Sequence, residues 1–312
     1  MSDPNNYTIG WISALEIEYA AAQEFLDEEH GAPRCVHKND ENHYSLGRIR
    51  NHNVVIAVLP RGGNGIAAAA MAAKDMMHSF PNVRVCLMVG VGGGAPSKRH
   101  DIRPGDVVVS VPTFSEKGGN QGGVVQYDYA KTIQEKLFRS TKYLNSPPRA
   151  LLTAVNGLST KHMRKGNEID AAIKKKLEAN QRLQKNYGRP DGDSDKLYSS
   201  DPAQTMDTIF GATCIRWEAA SSVWPRRDDD NPTIHYGTIA LANRLMKDAI
   251  LRDKLAAEND VLCFEMEAAG LMNYFPCLVI RGICDYSDLH KNAEWQGYAV
   301  MTAAAYAKDL LI

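Results

Sequence analysis

The segment "LCFEMEAAGLMNYFPCLVIRGICDYSD" (residues 262–288) sets Glu265 and Glu267 among apolar residues and Asp285 and Asp288 just past an apolar run. Burying an unpaired carboxylate is costly, so four acids in such surroundings point to chemistry. A buried carboxylate accepts only, and can take two donors, which suits vicinal hydroxyls. Glu265 and Glu267 are candidates for that role. Asp285 closes "CLVIRGICD", and strand ends carry functional side chains in α/β folds. Asp288 reads as a turn or N-cap acid. Near the amino terminus, Glu16 and Glu18 follow "YTIGWISA". Both fit a first helical turn, where acids complement the macrodipole. Two residues along a helix rotate by about 200°, so one of the pair can face a pocket while the other faces solvent. By the same rule Glu265 and Glu267, placed on a helix, would not share a face. Arg281 reads as the ion-pair partner of a nearby acid.

Other motifs narrow the field. "GVGGGA" (90–95) meets a loose dinucleotide pattern, but Pro96 and "SKRHDIRPGD" follow where a helix is needed to aim its N-terminus at a pyrophosphate. It reads instead as a tight glycine turn with positive φ, where a ligand can come close to the backbone. His235 and His290 are isolated. The sequence has no His/Cys/Asp cluster with metal-ligand spacing and no G-x-S-x-G elbow, so neither a metal nor a cofactor is expected. The basic run "TKHMRKGN" (160–167) reads as a solvated helix face, with a ligand phosphate as the alternative use of Lys161, Arg164 and Lys165.

These side chains need a frame. Strands are expected at 7–14, 52–60, 83–91, 106–112 and 234–240, and helices at 15–26, 66–77, near 242–257 and at 295–311. Residues 262–288 read as a helix feeding a buried strand. Strands alternating with helices, several continuously apolar, predict an α/β fold: a single domain over 1–312 with a mixed central sheet flanked by helices. Residues 113–232 carry helical candidates between polar stretches such as "GRPDGDSDKLYSSD" and "PRRDDDNP", and read as an insertion within that domain. Hydrophobic content of 44%, 23% charged residues and a formal net charge of −1 give no hint of nucleic acid or membrane partners. The start of the chain lacks a signal-peptide pattern. The six scattered cysteines form no CxxC pair, and several sit in strand-like runs as buried thiols would. The expectation is a soluble cytoplasmic protein.

"IGWISALEIEY", "GVGGGAP…RPGDVVVS", "HYGTIALANRLMKD", "FEMEAAG" and "IRGICDYSD" occur in an order that resembles the purine and uridine phosphorylase superfamily, and within it the methylthioadenosine/S-adenosylhomocysteine nucleosidase branch. The pattern is most similar to fungal nucleosidase-like domains, some free-standing and some at the front of immune-receptor-like proteins. The resemblance covers about 7–112 and 233–311. It implies an enzyme that cleaves the N-glycosidic bond of a purine nucleoside. Asp285 matches the acid that protonates purine N7. Glu18 matches the base that activates water. Glu267 matches the carboxylate that holds the ribose hydroxyls, Met266 the methionine under the sugar, and Glu265 a neighbouring sugar-side glutamate. Val91, Gly92 and Gly93 form the ligand-facing loop. Leu245 and Met246 fall where the family places an aromatic and an aliphatic residue around the base. A homo-oligomer is expected by resemblance.

Cleavage of an N-glycoside passes through an oxocarbenium-like state, which a nearby carboxylate stabilises. The leaving purine needs a proton, and a dry pocket would suit Asp285 to supply it. Phosphorolysis instead requires fixed cations and hydroxyls. The resemblance puts a serine in the loop of the phosphorylases, where this chain has Val91, and Glu18 would repel phosphate. Water is therefore the expected nucleophile, with adenosine and deoxyadenosine as substrates. Adenine nucleotides are the alternative substrates. A phosphorylase drawing on Arg61 or Arg84, and a nucleoside-sensing module without turnover, remain the other readings.

Overall fold

A computed structural model describes residues 1–63, 65–115, 119–128, 130–133, 137–140, 144–198, 206–209, 212–215, 221–222, 227, 229, 231–272, 275, 277–290 and 293–312. The fold is α/β, with one ten-stranded mixed sheet at its centre. In chain order its strands are β1 (Ile9–Ser13), β2 (Glu28–His30), β3 (His43–Ile49), β4 (His52–Val58), β5 (Val85–Gly94), β6 (Val107–Ser110), β7 (Val124–Gln126), β8 (Ile234–Leu241), β9 (Val261–Glu265) and β10 (Cys277–Asp285). Their spatial order is β9-β8-β6-β10-β5-β1-β4-β3-β2, with β7 added beside β8. Strand β10 runs parallel to β5 and antiparallel to β6. Strand β9 pairs with β8 and also, antiparallel, with the end of β5. Five strands thus close on themselves around the carboxyl ends of β5, β9 and β10.

The helices are α1 (Glu16–Glu24), α2 (Ile66–Ser79), α3 (Arg149–Lys165), α4 (Ile169–Ala179), α5 (Gln181–Tyr187), α6 (Ala249–Asn259), α7 (Ala269–Met272) and α8 (Glu294–Leu310). Side chains alternate across the sheet. Trp11, Ile56, Leu87 and Ile280 point into one layer with α1, α3, α4 and α8. Ile12, Val55, Met88 and Val279 point into the other with α2 and α7. A strand covered on both faces must be apolar throughout, and "CLVIRGIC" in β10 obeys this with Arg281 as its one charge. Helix α8 is buried along nearly its whole length and lies across β10 and β5.

Three expectations need correction. The start of 262–288 is strand β9, not a helix, because Val261–Glu265 is needed on both sides, by β8 and by β5. The helix expected near 242–257 starts only at Ala249, where Asp248 caps it by accepting from the N–H groups of Ile250 and Leu251. Residues 242–248 are left as a loop. The glycines of "GVGGGA" make no positive-φ turn: β5 runs on through Gly94, and the positive-φ glycines lie elsewhere. Close approach explains their type. A Cβ at Gly90 would strike the side chains of Glu18 and Arg281, and one at Gly93 those of Ser287 and Asp285. Among the described residues, no helix is long and apolar enough to cross a membrane.

Candidate active site

The carboxyl ends of β1, β5, β9 and β10 surround a cavity of about 300 Å³, the position open α/β sheets reserve for ligands. All ten residues singled out in the sequence line it: Glu18, Val91, Gly92, Gly93, Leu245, Met246, Glu265, Met266, Glu267 and Asp285.

Glu18 is the third residue of α1 and is buried, while Glu16 is exposed beside Arg61 at 4.0 Å. The two acids therefore split between pocket and solvent. Glu18 Oε2 accepts from the N–H groups of Ala14 (2.7 Å) and Leu15 (3.0 Å), and Oε1 accepts from the N–H of Val91 (2.8 Å). The first two bonds fix it to the helix start, and the third ties it to β5. Burial pushes its pKa up; Arg281 and these three donors pull the other way.

Arg281 organises the remaining acids. It is 1% exposed and donates to Glu265 Oε2, with Glu267 Oε2 at 3.6 Å. Glu265 and Glu267 can both face it because they leave a strand end through a turn, not along a helix. The Glu265 carboxylate also accepts from the N–H groups of Glu267 (3.0 Å) and Ala268 (3.1 Å) at the entry to α7. Its acceptor capacity is thus used inside the protein. Among the described residues, Glu267 has only the N–H of Met266 at 3.3 Å besides Arg281. Burial first, and then the neighbouring Glu265, push its pKa up to about 7.

Asp285 ends β10. Its Oδ1 accepts from the N–H of Ser287 (2.9 Å), and the Cys284 thiol stands 3.5 Å from Oδ2. Ser287 Oγ is buried with no hydrogen-bond partner among the described residues. Asp288 Oδ1 accepts from the N–H of His290, as a turn acid does. Leu245 and Met246 arrive on the loop 242–248, which Asp128 anchors by accepting from the Asn243 N–H at 3.0 Å.

Sequence reasoning missed Phe264, Ser287, Cys284, Gln296, Ala14 and Leu15 among the lining residues. Phe264, inside "FEMEAAG", is one of the lining residues, and its ring packs edge-on against Tyr127. Reading 262–288 as a helix feeding a strand hides this residue. Gln296 lies on α8, and nothing local in the sequence marks it. A larger cleft of about 930 Å³ shares Ala14, Leu15 and Gln296 with the cavity and includes Arg61.

The basic residues proposed for phosphate fall elsewhere. Lys161 bonds Asp309 at 2.8 Å, near the far end of α8 from Gln296. Thirteen residues of helix separate those two positions, roughly 20 Å. Arg164 and Lys165 close α3 as exposed last-turn cations. Arg84 precedes β5 and so lies at the opposite end of that strand from Gly93, roughly 30 Å away at the usual rise per residue. No group of three or more His, Cys, Asp and Glu residues that could hold a metal occurs among the described residues.

Residues 8–164 match the family model described as the Phosphorylase superfamily. The chain is 42% identical over 309 residues to a nucleotide-binding leucine-rich repeat (NLR)-like protein of Hyaloscypha variabilis, covering 99% of this chain but 29% of that protein's length. Among solved structures, the futalosine hydrolase of Helicobacter pylori superposes with a TM-score of 0.58 at 14% identity, covering 98% of this chain and 97% of that one. The Streptococcus pneumoniae MTA/SAH nucleosidase in complex with 8-aminoadenine gives 0.58 at 16% identity, covering 97% and 98%. At these identities the two structures establish a shared fold.

Proposed function

Given that this chain belongs to the Phosphorylase superfamily, we propose that it hydrolyses the N-glycosidic bond of adenosine and deoxyadenosine, releasing adenine and the free sugar. The observation that carries this reading is the cavity itself, which gathers Glu18, Glu267 and Asp285. A proton donor, a hydroxyl-binding acid and a water base are the three groups the reaction needs.

In this reading the purine lies between Phe264 and the backbone of Val91–Gly93. Asp285 delivers its proton to N7 as the glycosidic electrons move into the ring, and the unpartnered Ser287 Oγ bonds the base edge. The ribose hydroxyls donate to Glu267, and Met266 packs under the sugar. Glu18 takes a proton from water, which then bonds to the anomeric carbon. Positive charge on the sugar grows beside these carboxylates, where it is stabilised. Glu265 holds Arg281 and the turn that presents Glu267. The ligand bound to the S. pneumoniae structure, 8-aminoadenine, accords with an adenine site.

Water is the better nucleophile because no lysine or arginine appears among the described lining residues. Arg281 stands behind them, committed to glutamates. Adenine nucleotides are a second reading: Arg61 in the adjoining cleft offers a cation beyond the sugar. We also take residues 1–312 as one domain, because α3 and α4 share the core of α8, and we place it in the cytoplasm as a homo-oligomer.

The test is incubation of the purified chain with adenosine, with and without inorganic phosphate, followed by chromatography. Adenine plus ribose in both conditions is the expected result. Ribose 1-phosphate, formed only when phosphate is present, would replace hydrolysis by phosphorolysis. Stabilisation by adenine without product would support a binding module.

A further inference from the structure

The residues that follow Asp285 are held from outside the cavity by a segment far away in sequence. Asp285 and Ser287 line the cavity, while Tyr286 between them is not among the lining residues. Tyr286 is 4% exposed, and its hydroxyl donates to Asp195 Oδ1. Its backbone carbonyl accepts from Arg252 Nη1 at 2.7 Å. The next residue, Ser287, is a buried non-glycine with φ of 54°, and its N–H is the one that bonds Asp285. A left-handed non-glycine persists where its surroundings over-determine it. Residues 186–198 contact the neighbours of Ser287 on both sides. Beside the Asp195 bond, the Tyr198 ring stacks on His290 at 3.6 Å, and Trp295 Nε1 donates to Ser194 Oγ at 2.9 Å. A Cβ at Gly297 would collide with the carbonyl of Asn186. The gripped residues flank both Asp285 and Gln296 of the cavity.

We propose that Asp195 and Tyr286 are positioning residues, through which the 186–198 segment holds Asp285 at the angle needed to reach the purine. This makes a piece of the region expected to be an insertion part of the catalytic apparatus. The proposal rests on the reading of Asp285 as the proton donor.

The test uses Y286F, D195A, the double variant and D195N in the full chain, with adenosine as substrate. Each variant is checked for cooperative melting. Small misplacements of a reacting group cost up to about 100-fold, so D195A and Y286F should each lower kcat roughly 10- to 100-fold. KM should move by no more than about threefold. The double variant should be no worse than either single one, because both act through one bond. D195N keeps an accepting oxygen and should recover most of the rate. Amide hydrogen exchange at Ser287 should quicken in D195A and Y286F. Wild-type kcat in both single variants, or multiplicative losses in the double one, would overturn the proposal. If the wild type itself releases no adenine, the hydrolase reading fails instead. The tie is then judged by Ser287 exchange and adenine-induced thermal shift, and no change of either in D195A would sink it.

Discussion

Asp106, just before β6, is 1% exposed and collects five donors or potential donors. They are Arg227 Nη1 (2.6 Å) and Nη2 (2.8 Å), the N–H groups of Arg103 (2.9 Å) and Thr233 (3.0 Å), and His235 Nε2 (3.0 Å). Around the cavity, Glu18, Glu265 and Glu267 share the field of one guanidinium, that of Arg281. Burial alone would raise Asp106, but His235 and Arg227 outweigh it and hold the carboxyl below its ordinary range. Burial raises Glu18 and Glu267, and there the partners do not compensate. Burial of an acid therefore marks nothing by itself. A saturated acid is a fastening. An under-partnered acid that faces a cavity is a site, because it retains capacity for a ligand.

The sharpest separation of the two is kinetic against thermodynamic. Asp285→Asn should lower adenine release by about 10²–10⁴-fold, the size of one general acid–base contribution, with melting little changed. Asp106→Ala should do the reverse. Leaving the buried donors around Asp106 without their acceptor costs about 1–3 kcal/mol of stability, seen as a lower denaturant midpoint, while turnover per folded molecule stays close to wild type. An Asp106→Ala protein that is folded but inactive would erase the distinction.

Opposite pKa shifts also give the two regions opposite pH signatures. Glu267 rises from 4.5 to about 7 on folding. Its contribution to stability is therefore complete below pH 4.5 and is lost as pH climbs through 7. Glu267→Gln removes that dependence, so the variant should gain on wild type from pH 5 to pH 8 in urea midpoints while losing affinity for the sugar. Asp106 is depressed below 3.8; its contribution is present above that value and fades as pH falls through the folded pKa. A Glu267→Gln protein whose urea midpoint does not gain on wild type between pH 5 and pH 8 would mean that desolvation does not govern this carboxylate.

Much of this contrast was legible in residue types and little of it in partnerships. The apolar run of β10 and the alanine-rich α2 announce themselves through local composition. The quoted motifs picked ten residues that share one cavity although they come from five separate stretches of chain. What stayed hidden depends on pairing between distant segments. The strand character of Val261–Glu265 exists because β5 and β8 flank it. The role of Arg281 depends on where that strand ends. Asp106 raised no signal in the sequence, since its partners Arg227 and His235 lie more than a hundred residues away. The glycine run was misassigned for a related reason: glycine serves φ freedom or close approach, and only the positions of Glu18 and Ser287 separate the two.

The smallest effect expected concerns Arg84, one of the two arginines a phosphorylase could have used to hold phosphate. It is exposed at the amino-terminal end of β5, and its N–H bonds the Thr8 carbonyl at 3.0 Å. A surface substitution clear of cores and networks changes stability by no more than about 0.5 kcal/mol. Arg84→Ala should therefore melt as wild type does and release adenine at the same rate with and without phosphate. Among the described residues no lysine or arginine lines the cavity: Arg281 is buried and held by glutamates, and Arg61 lies in the adjoining cleft. If phosphate accelerated the wild type and Arg84→Ala abolished the acceleration, Arg84 would have to act on the cavity from the opposite end of β5. The contrast between a saturated and an open carboxylate cluster would then no longer explain the chemistry.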